Sequence, residues 1–120
     1  MREKMLDGHP NKGELFDLKH DRGGMVDIEF IVQYLVLAHA HRHTELARND
    51  GNIALLGMAA ELGLIGKGLS AQVRDAYRLF RRRQHELRLN GAKYARVPIE
   101  DVSGPVAATR ALWRTVFGCD

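Results

Sequence analysis

Apolar residues crowd the chain from Met25 onward and are sparse before it. Between Met25 and about Arg42 they fall on every side of a helical wheel, among them Val26, Ile28, Ile31, Leu35 and Leu37. A run of this length without alternation predicts a buried helix rather than a strand. The turn Asn49, Asp50, Gly51, Asn52 separates it from a second helical pattern, Ile53 to about Leu64, in which Leu55, Leu56, Ala59, Ala60 and Leu62 recur on one face, with Gly66 as its left-handed end. Ser70 reads as the cap of a third helix reaching Asn90 and Gly91, with Val73, Ala76, Tyr77, Phe80 and Leu87 on one side. Ser103 reads as the cap of a fourth, with Pro105 in its first turn and its end at Gly118. Residues 1–24 hold Gly8, Pro10, Gly13, Gly23 and Gly24 around a small apolar cluster, Leu15, Phe16 and Leu18, which predicts an irregular or briefly extended lead-in. The expected fold class is all-α: a compact bundle of about four helices over 25–120 with an irregular N-terminal lead-in.

Composition narrows this picture more than it enlarges it. The chain has 120 residues, 45% hydrophobic and 28% charged, which matches one globular domain. The longest apolar run, Ile28 to Ala40, is interrupted by Glu29, Gln33 and His39, so no membrane span is expected. Nothing after Met1 resembles a secretory signal, and the lone Cys119 cannot form an internal disulfide, which together suit a cytoplasmic location. A net charge of +3 is too small to name a partner. The chain is also short for a nucleotide-binding core plus a substrate domain, so it reads as part of something larger.

Three clusters carry candidate chemistry. Gly23 and Gly24 open the first helix with Lys19 just upstream, a place where free amides and the positive dipole end receive phosphate or carboxylate; the same residues equally make a plain helix start. Asp27 and Glu29 lie about 200° apart on that helix, so they cannot clamp one metal from one face. As part-buried carboxylates they either hold structure or orient a cation at a site. On the third helix Arg74, Arg78, Arg81, His85 and Arg88 step by three and four into a basic stripe, a candidate partner-binding face or a solvated one. No aromatic residue interleaves with it, which argues against nucleic acid. Asp75 and Glu86 lie off this stripe on a helical wheel, too far round to neutralise it. His39 and His43 share a face but lack the glutamate of a His-Glu-x-x-His zinc motif. There is no Gly-Ser turn followed by Asp-x-Asp, no placed nucleophile and no legible metal cluster, so no catalytic residue is assigned.

Glu14 to Lys19, the run Gly23 to Leu37, and later Ala76, Tyr77, Phe80, Arg81, His85, Leu87 and Leu89 resemble the bacterial glutamine synthetase adenylyltransferase and adenylyl-removing family. The specific string is Lys19, Gly23, Gly24, Asp27, Ile28, Glu29 and Phe30; the family carries a version in each of its halves, and the continuation Tyr34 to Leu37 favours the C-terminal, adenylyltransferase half. The resemblance implies a much longer enzyme with two nucleotidyltransferase domains, each followed by a helical bundle. One half transfers AMP from ATP to a tyrosine of glutamine synthetase, and the other removes it by phosphorolysis, under control of glutamine and the PII signalling protein. The magnesium-binding carboxylates would belong to the upstream nucleotidyltransferase domain, so this chain would hold no cofactor of its own and be inactive alone. ATP and Mg2+ are implied for the full-length enzyme, with Lys19 reaching the nucleotide phosphates from the bundle. Arg81 and His85 match the family pattern, whereas Arg74, Arg78 and Arg88 are particular to this chain. The other reading is an independent basic helical module that binds nucleic acid or an acidic protein.

Overall fold

A computed structural model describes residues 15–47 and 51–118. Among them β1 (Leu15–Asp17) leads into α1 (Met25–His39), a short 3-10 turn at Thr44–Ala47, α2 (Asn52–Glu61) and the long α3 (Lys67–Leu89). β2 (Arg96–Pro98), a second 3-10 turn at Ile99–Asp101 and α4 (Ser103–Phe117) complete the order. The all-α expectation holds, with one small addition. At ~1.5 Å per residue α3 is roughly 34 Å long, and it sets the long axis of a body measuring 43 × 28 × 22 Å. Its apolar side packs against α2 and α4, while α1 lies across all three.

α3 is the most amphipathic helix, and its buried residues Val73, Ala76, Tyr77 and Phe80 are those the periodicity named. Phe80 is wholly buried and its ring lies 6.1 Å from that of Phe16. Burying one such side chain contributes about 1.5–3 kcal/mol, so β1 is tied into the same core as the helices. Phe16 faces Val97 in the antiparallel register of β1 with β2, and the Leu18 amide donates to the Ala95 carbonyl at 2.8 Å. The briefly extended stretch expected in the lead-in is this strand, and through Phe16 and Leu18 it packs into the core of the bundle. The strands escape a periodicity reading because three residues are too few to show alternation. Residues 1–14, with Gly8, Pro10 and Gly13, lie outside the described residues.

Helix ends differ from expectation for local reasons. The first helix stops at His39, and His43 lies in the turn beyond it, so the two histidines do not share a helical face. α2 ends at Glu61, where Gly63 (φ +79°) takes the left-handed conformation assigned to Gly66. Gly66 (φ −68°) instead precedes α3, which starts at Lys67. Ser70 is no cap: fully buried, its hydroxyl donates to the Leu56 carbonyl of α2 at 3.0 Å. Ser103 is the first helical residue of α4, and no side chain caps that end. Pro105 and the left-handed Gly118 sit as expected. Of the turn before α2, Asn49 and Asp50 lie outside the described residues, and the Asn52 side chain donates to the Tyr77 hydroxyl at 3.0 Å.

α1 is not buried all round. Ile28, Ile31, Val32 and Leu35 are core, but Tyr34 and Leu37 are 43% and 76% exposed. The Tyr34 ring lies 5.0 Å from Phe117, which in turn lies 4.3 Å from Trp113, so an aromatic seam closes α1 against the end of α4.

Backbones approach most closely at the start of α1. A Cβ on Gly24 would stand 2.7 Å from the Leu18 carbonyl oxygen and 3.0 Å from that of Asp21. Gly23 (φ +89°) would bring its Cβ 2.8 Å from a Val106 methyl of α4. Because the obstacle at Gly24 is backbone, Gly24→Ala forces the turn apart. It is expected to lower stability by about 1–3 kcal/mol, read as a lower midpoint in thermal unfolding followed by circular dichroism.

Candidate functional site

The turn between β1 and α1 is organised by two aspartates. Asp17 is 5% exposed, and its Oδ1 accepts the amides of Lys19 at 2.9 Å and His20 at 3.0 Å. Its Oδ2 lies 4.0 Å from the Arg96 Nε on β2, and its own amide donates to Asp21 at 2.9 Å. This is an Asx-type turn, in which a short carboxylate satisfies amides that no strand or helix reaches. Asp27, 2% exposed, accepts the Gly23 amide at 2.7 Å.

The remaining amides of the helix start are also engaged. Gly24 donates to the Asp21 carbonyl at 2.9 Å, Met25 to Leu18 at 2.9 Å and Val26 to Lys19 at 3.0 Å. The expectation that Gly23 and Gly24 present free amides to an anion is therefore corrected: the preceding loop folds back and takes them. The two glycines are buried, and their role is close packing. Asp27 accepts the Gly23 amide at the positive end of the helix, where a carboxylate is favoured. Glu29, expected to be part-buried, is exposed. It shares the solvent side of α1 with Gln33.

Lys19 points elsewhere, into a cleft of about 210 Å³ between the β1 turn, the end of α3 and the loop leading to β2. Asp17, Lys19, Arg88, Lys93, Tyr94 and Arg96 are among its walls. The loop is shaped by the end of α3: Gly91 (φ +77°) reverses the chain, and the Asn90, Gly91 and Ala92 amides take the Glu86, Arg88 and Leu87 carbonyls. This ending satisfies carbonyls that would otherwise repel an anion. Tyr94, 53% exposed, has the Arg96 guanidinium 4.5 Å and the Lys93 ammonium 5.5 Å from its ring centre. No salt bridge among the described residues neutralises Lys19, Arg88 or Lys93. Lys19 and Arg88 were singled out by sequence separately, and the fold brings them together. Lys93, Tyr94 and Arg96 were missed, although two cations flanking an aromatic within four residues is a readable signal.

The rest of the arginine stripe is not one surface. Arg74 is half-buried, with its guanidinium against Gly57 of α2. Arg78 pairs with Asp75 at 2.9 Å, and Arg82 lies 3.8 Å from Glu86. The helical-wheel expectation that Asp75 and Glu86 lie too far round to neutralise the basic face is corrected, since long side chains reach across a turn. Arg81 lies 5.9 Å from the Tyr77 ring centre, and His85 is exposed. Asp27→Ala removes the acceptor of the buried Gly23 amide and is expected to cost about 1–3 kcal/mol. Asp27→Asn keeps an oxygen there and is expected to cost less, both read from urea unfolding midpoints.

Comparison with known proteins agrees with the sequence resemblance. The chain is 58% identical over 118 residues to the bifunctional glutamine synthetase adenylyltransferase/adenylyl-removing enzyme of Burkholderia mallei, covering 98% of this chain and 13% of that protein. The enzyme of the same name from Ralstonia nicotianae is 62% identical over 118 residues, covering 98% and 12%. That from Nitrosomonas europaea is 49% identical over 132 residues, covering 98% and 14%. The chain thus spans about an eighth of the length of the curated relatives it matches. The family model for the GlnD PII-uridylyltransferase matches residues 1–110. With similarity running along nearly its whole length, the chain belongs to the GlnD PII-uridylyltransferase family.

Proposed function

We propose that this chain is the helical, non-catalytic region of the adenylyltransferase half of an enzyme that adenylylates and deadenylylates glutamine synthetase in the cytoplasm. The observation that carries this reading is 58% identity along 98% of the chain to a protein that bears that name. On this reading the chemistry sits in an upstream nucleotidyltransferase domain, with glutamine synthetase as protein substrate and the PII signalling protein as regulator. Among the described residues no helix is long and apolar enough to cross a membrane.

The residues on hand bear on the two groups that the full reaction needs. Magnesium does not fit here. No three His, Cys, Asp or Glu side chains gather among the described residues, and the buried Asp17 and Asp27 already serve backbone amides. The phosphates of ATP do fit, at Lys19. Transfer of AMP forms a bond from the tyrosine oxygen to the α-phosphorus and breaks the bond to the β-phosphate, so pyrophosphate leaves carrying the electron pair. A lysine beside the leaving phosphates stabilises that charge, and it does so without touching the reacting tyrosine. The paired arginines of α3 give less support to an independent basic module.

The chain alone is expected to incorporate no AMP into glutamine synthetase when given ATP and magnesium; measurable labelling would overturn the reading. In the full-length enzyme, Lys19→Ala is expected to lower kcat/KM for ATP about tenfold, the size of one lost charge-assisted contact. Its melting temperature should stay unchanged because Lys19 is exposed. An unchanged kcat/KM removes Lys19 from the site.

A further inference from the structure

We propose that the cleft between the β1 turn and the end of α3 is a binding site for a phosphoryl anion of diphosphate size, held by Lys19, Arg88, Lys93 and Arg96. The proposal deepens the reading of Lys19 above and rests on it for the choice of phosphoryl chemistry. Its new content is the loop after α3, which supplies Lys93, Tyr94 and, through β2, Arg96.

The argument starts from charge. Among the described residues, Lys19, Arg88 and Lys93 line a cleft of about 210 Å³ with Arg96, whose guanidinium lies beside the one carboxylate there, the buried Asp17 that two backbone amides engage. The C-terminal end of α3 adds about half a negative charge, far less than the excess of cations. Its last carbonyls are moreover taken by the Asn90, Gly91 and Ala92 amides. Like charges on the walls of one cleft repel one another, and here they converge from two stretches of chain far apart in sequence, 17–20 and 84–96. A multiply charged anion relieves that repulsion, whereas a single carboxylate would meet only part of it.

Size then selects the ligand. A pocket for a whole drug-sized molecule runs to roughly 300–1,000 Å³, above the 210 Å³ found here. The cleft admits the phosphate tail of a nucleotide, or free pyrophosphate, and leaves the base outside. Arg88 supplies a planar fork that matches two phosphoryl oxygens, Lys19 and Lys93 supply point charges, and Arg96 adds positive charge from the wall. The Tyr94 hydroxyl is a neutral donor on the same wall.

The chain has its own hydrophobic core, from Phe16 to Leu112, so the site is tested on the chain as it is. Calorimetric titrations at physiological salt use inorganic pyrophosphate, ATP, AMP and adenosine, with a thermal unfolding curve for every variant. Pyrophosphate and ATP are expected to bind and adenosine is not. Equal affinity for pyrophosphate and ATP identifies the tail as the whole ligand, and tighter ATP binding identifies the nucleotide as its source. Arg88→Ala and Lys93→Ala are each expected to weaken binding about tenfold with the unfolding midpoint unchanged. Lys67→Ala, at the opposite end of α3, is expected to leave it intact. Folded chain that binds neither pyrophosphate nor ATP overturns the proposal, as does equal weakening by Lys67→Ala. Binding here, together with an unchanged kcat/KM for Lys19→Ala in the full-length enzyme, would take Lys19 out of the adenylylation step and keep the anion site. The reverse pair of results would sink the site and keep the reading.

Discussion

The pairing of β1 with β2 is the constraint on which the rest of the structure depends. Only three residues face three, Leu15 to Pro98, Phe16 to Val97 and Asp17 to Arg96, yet they join the start of the described chain to the segment that follows α3. An isolated two-stranded ribbon is barely stable in water. This one holds because Phe16 reaches Phe80 and Val97 is buried beside it, so the ribbon is anchored by the bundle's own core. In return the ribbon brings the Asp17 turn and the loop after α3 to the same corner.

The α1 start shows how close packing and hydrogen bonding compete with ligand binding. Helix N-termini carry four amides without intrahelical partners, and anions commonly take them. Here the loop from Leu18 to Gly23 folds over the end and takes the Gly24, Met25 and Val26 amides with its own carbonyls, while Asp27 takes the Gly23 amide. Glycines at 23 and 24 are what let the loop come that near, and the contact with Val106 then seats α4 against it. The positive charge that matters is carried instead by side chains on the far side of the same turn. Asp17 therefore has a double place: it shapes the turn that projects Lys19, and it stands beside Arg96 at the base of the cleft.

On the proposed reading, a helical domain of this kind contributes to phosphoryl chemistry by placing charge. The relatives are about eight times longer, and the carboxylates that such a reaction needs are not gathered among the described residues. What the described residues form is a corner, held by core packing, where lysines and arginines line one cleft. The paired arginines along the middle of α3 belong to a different task, that of a solvated face whose charges are met by Asp75, Glu86 and Asp101.

The four helices were legible in the sequence because helical periodicity is local: Val73, Ala76, Tyr77 and Phe80 announce their face within three turns. Lys19 and Arg88 were legible as charges, and Asp27 as a first-turn acid. Which glycine ended α2, and that Ser70 bonds to Leu56 of another helix, were not, since each depends on what a neighbouring element presents. A brief extended stretch near Leu15 was legible, but β2 and the pairing of the two strands were hidden, because three residues are too few to alternate. The cleft was hidden too. Lys19 lies far in sequence from Arg88 and Lys93, and burial of Phe16, Phe80 and Val97 in one core brings the two stretches together. Local chemistry thus decided the elements, and long-range apolar packing alone decided where their charges converge.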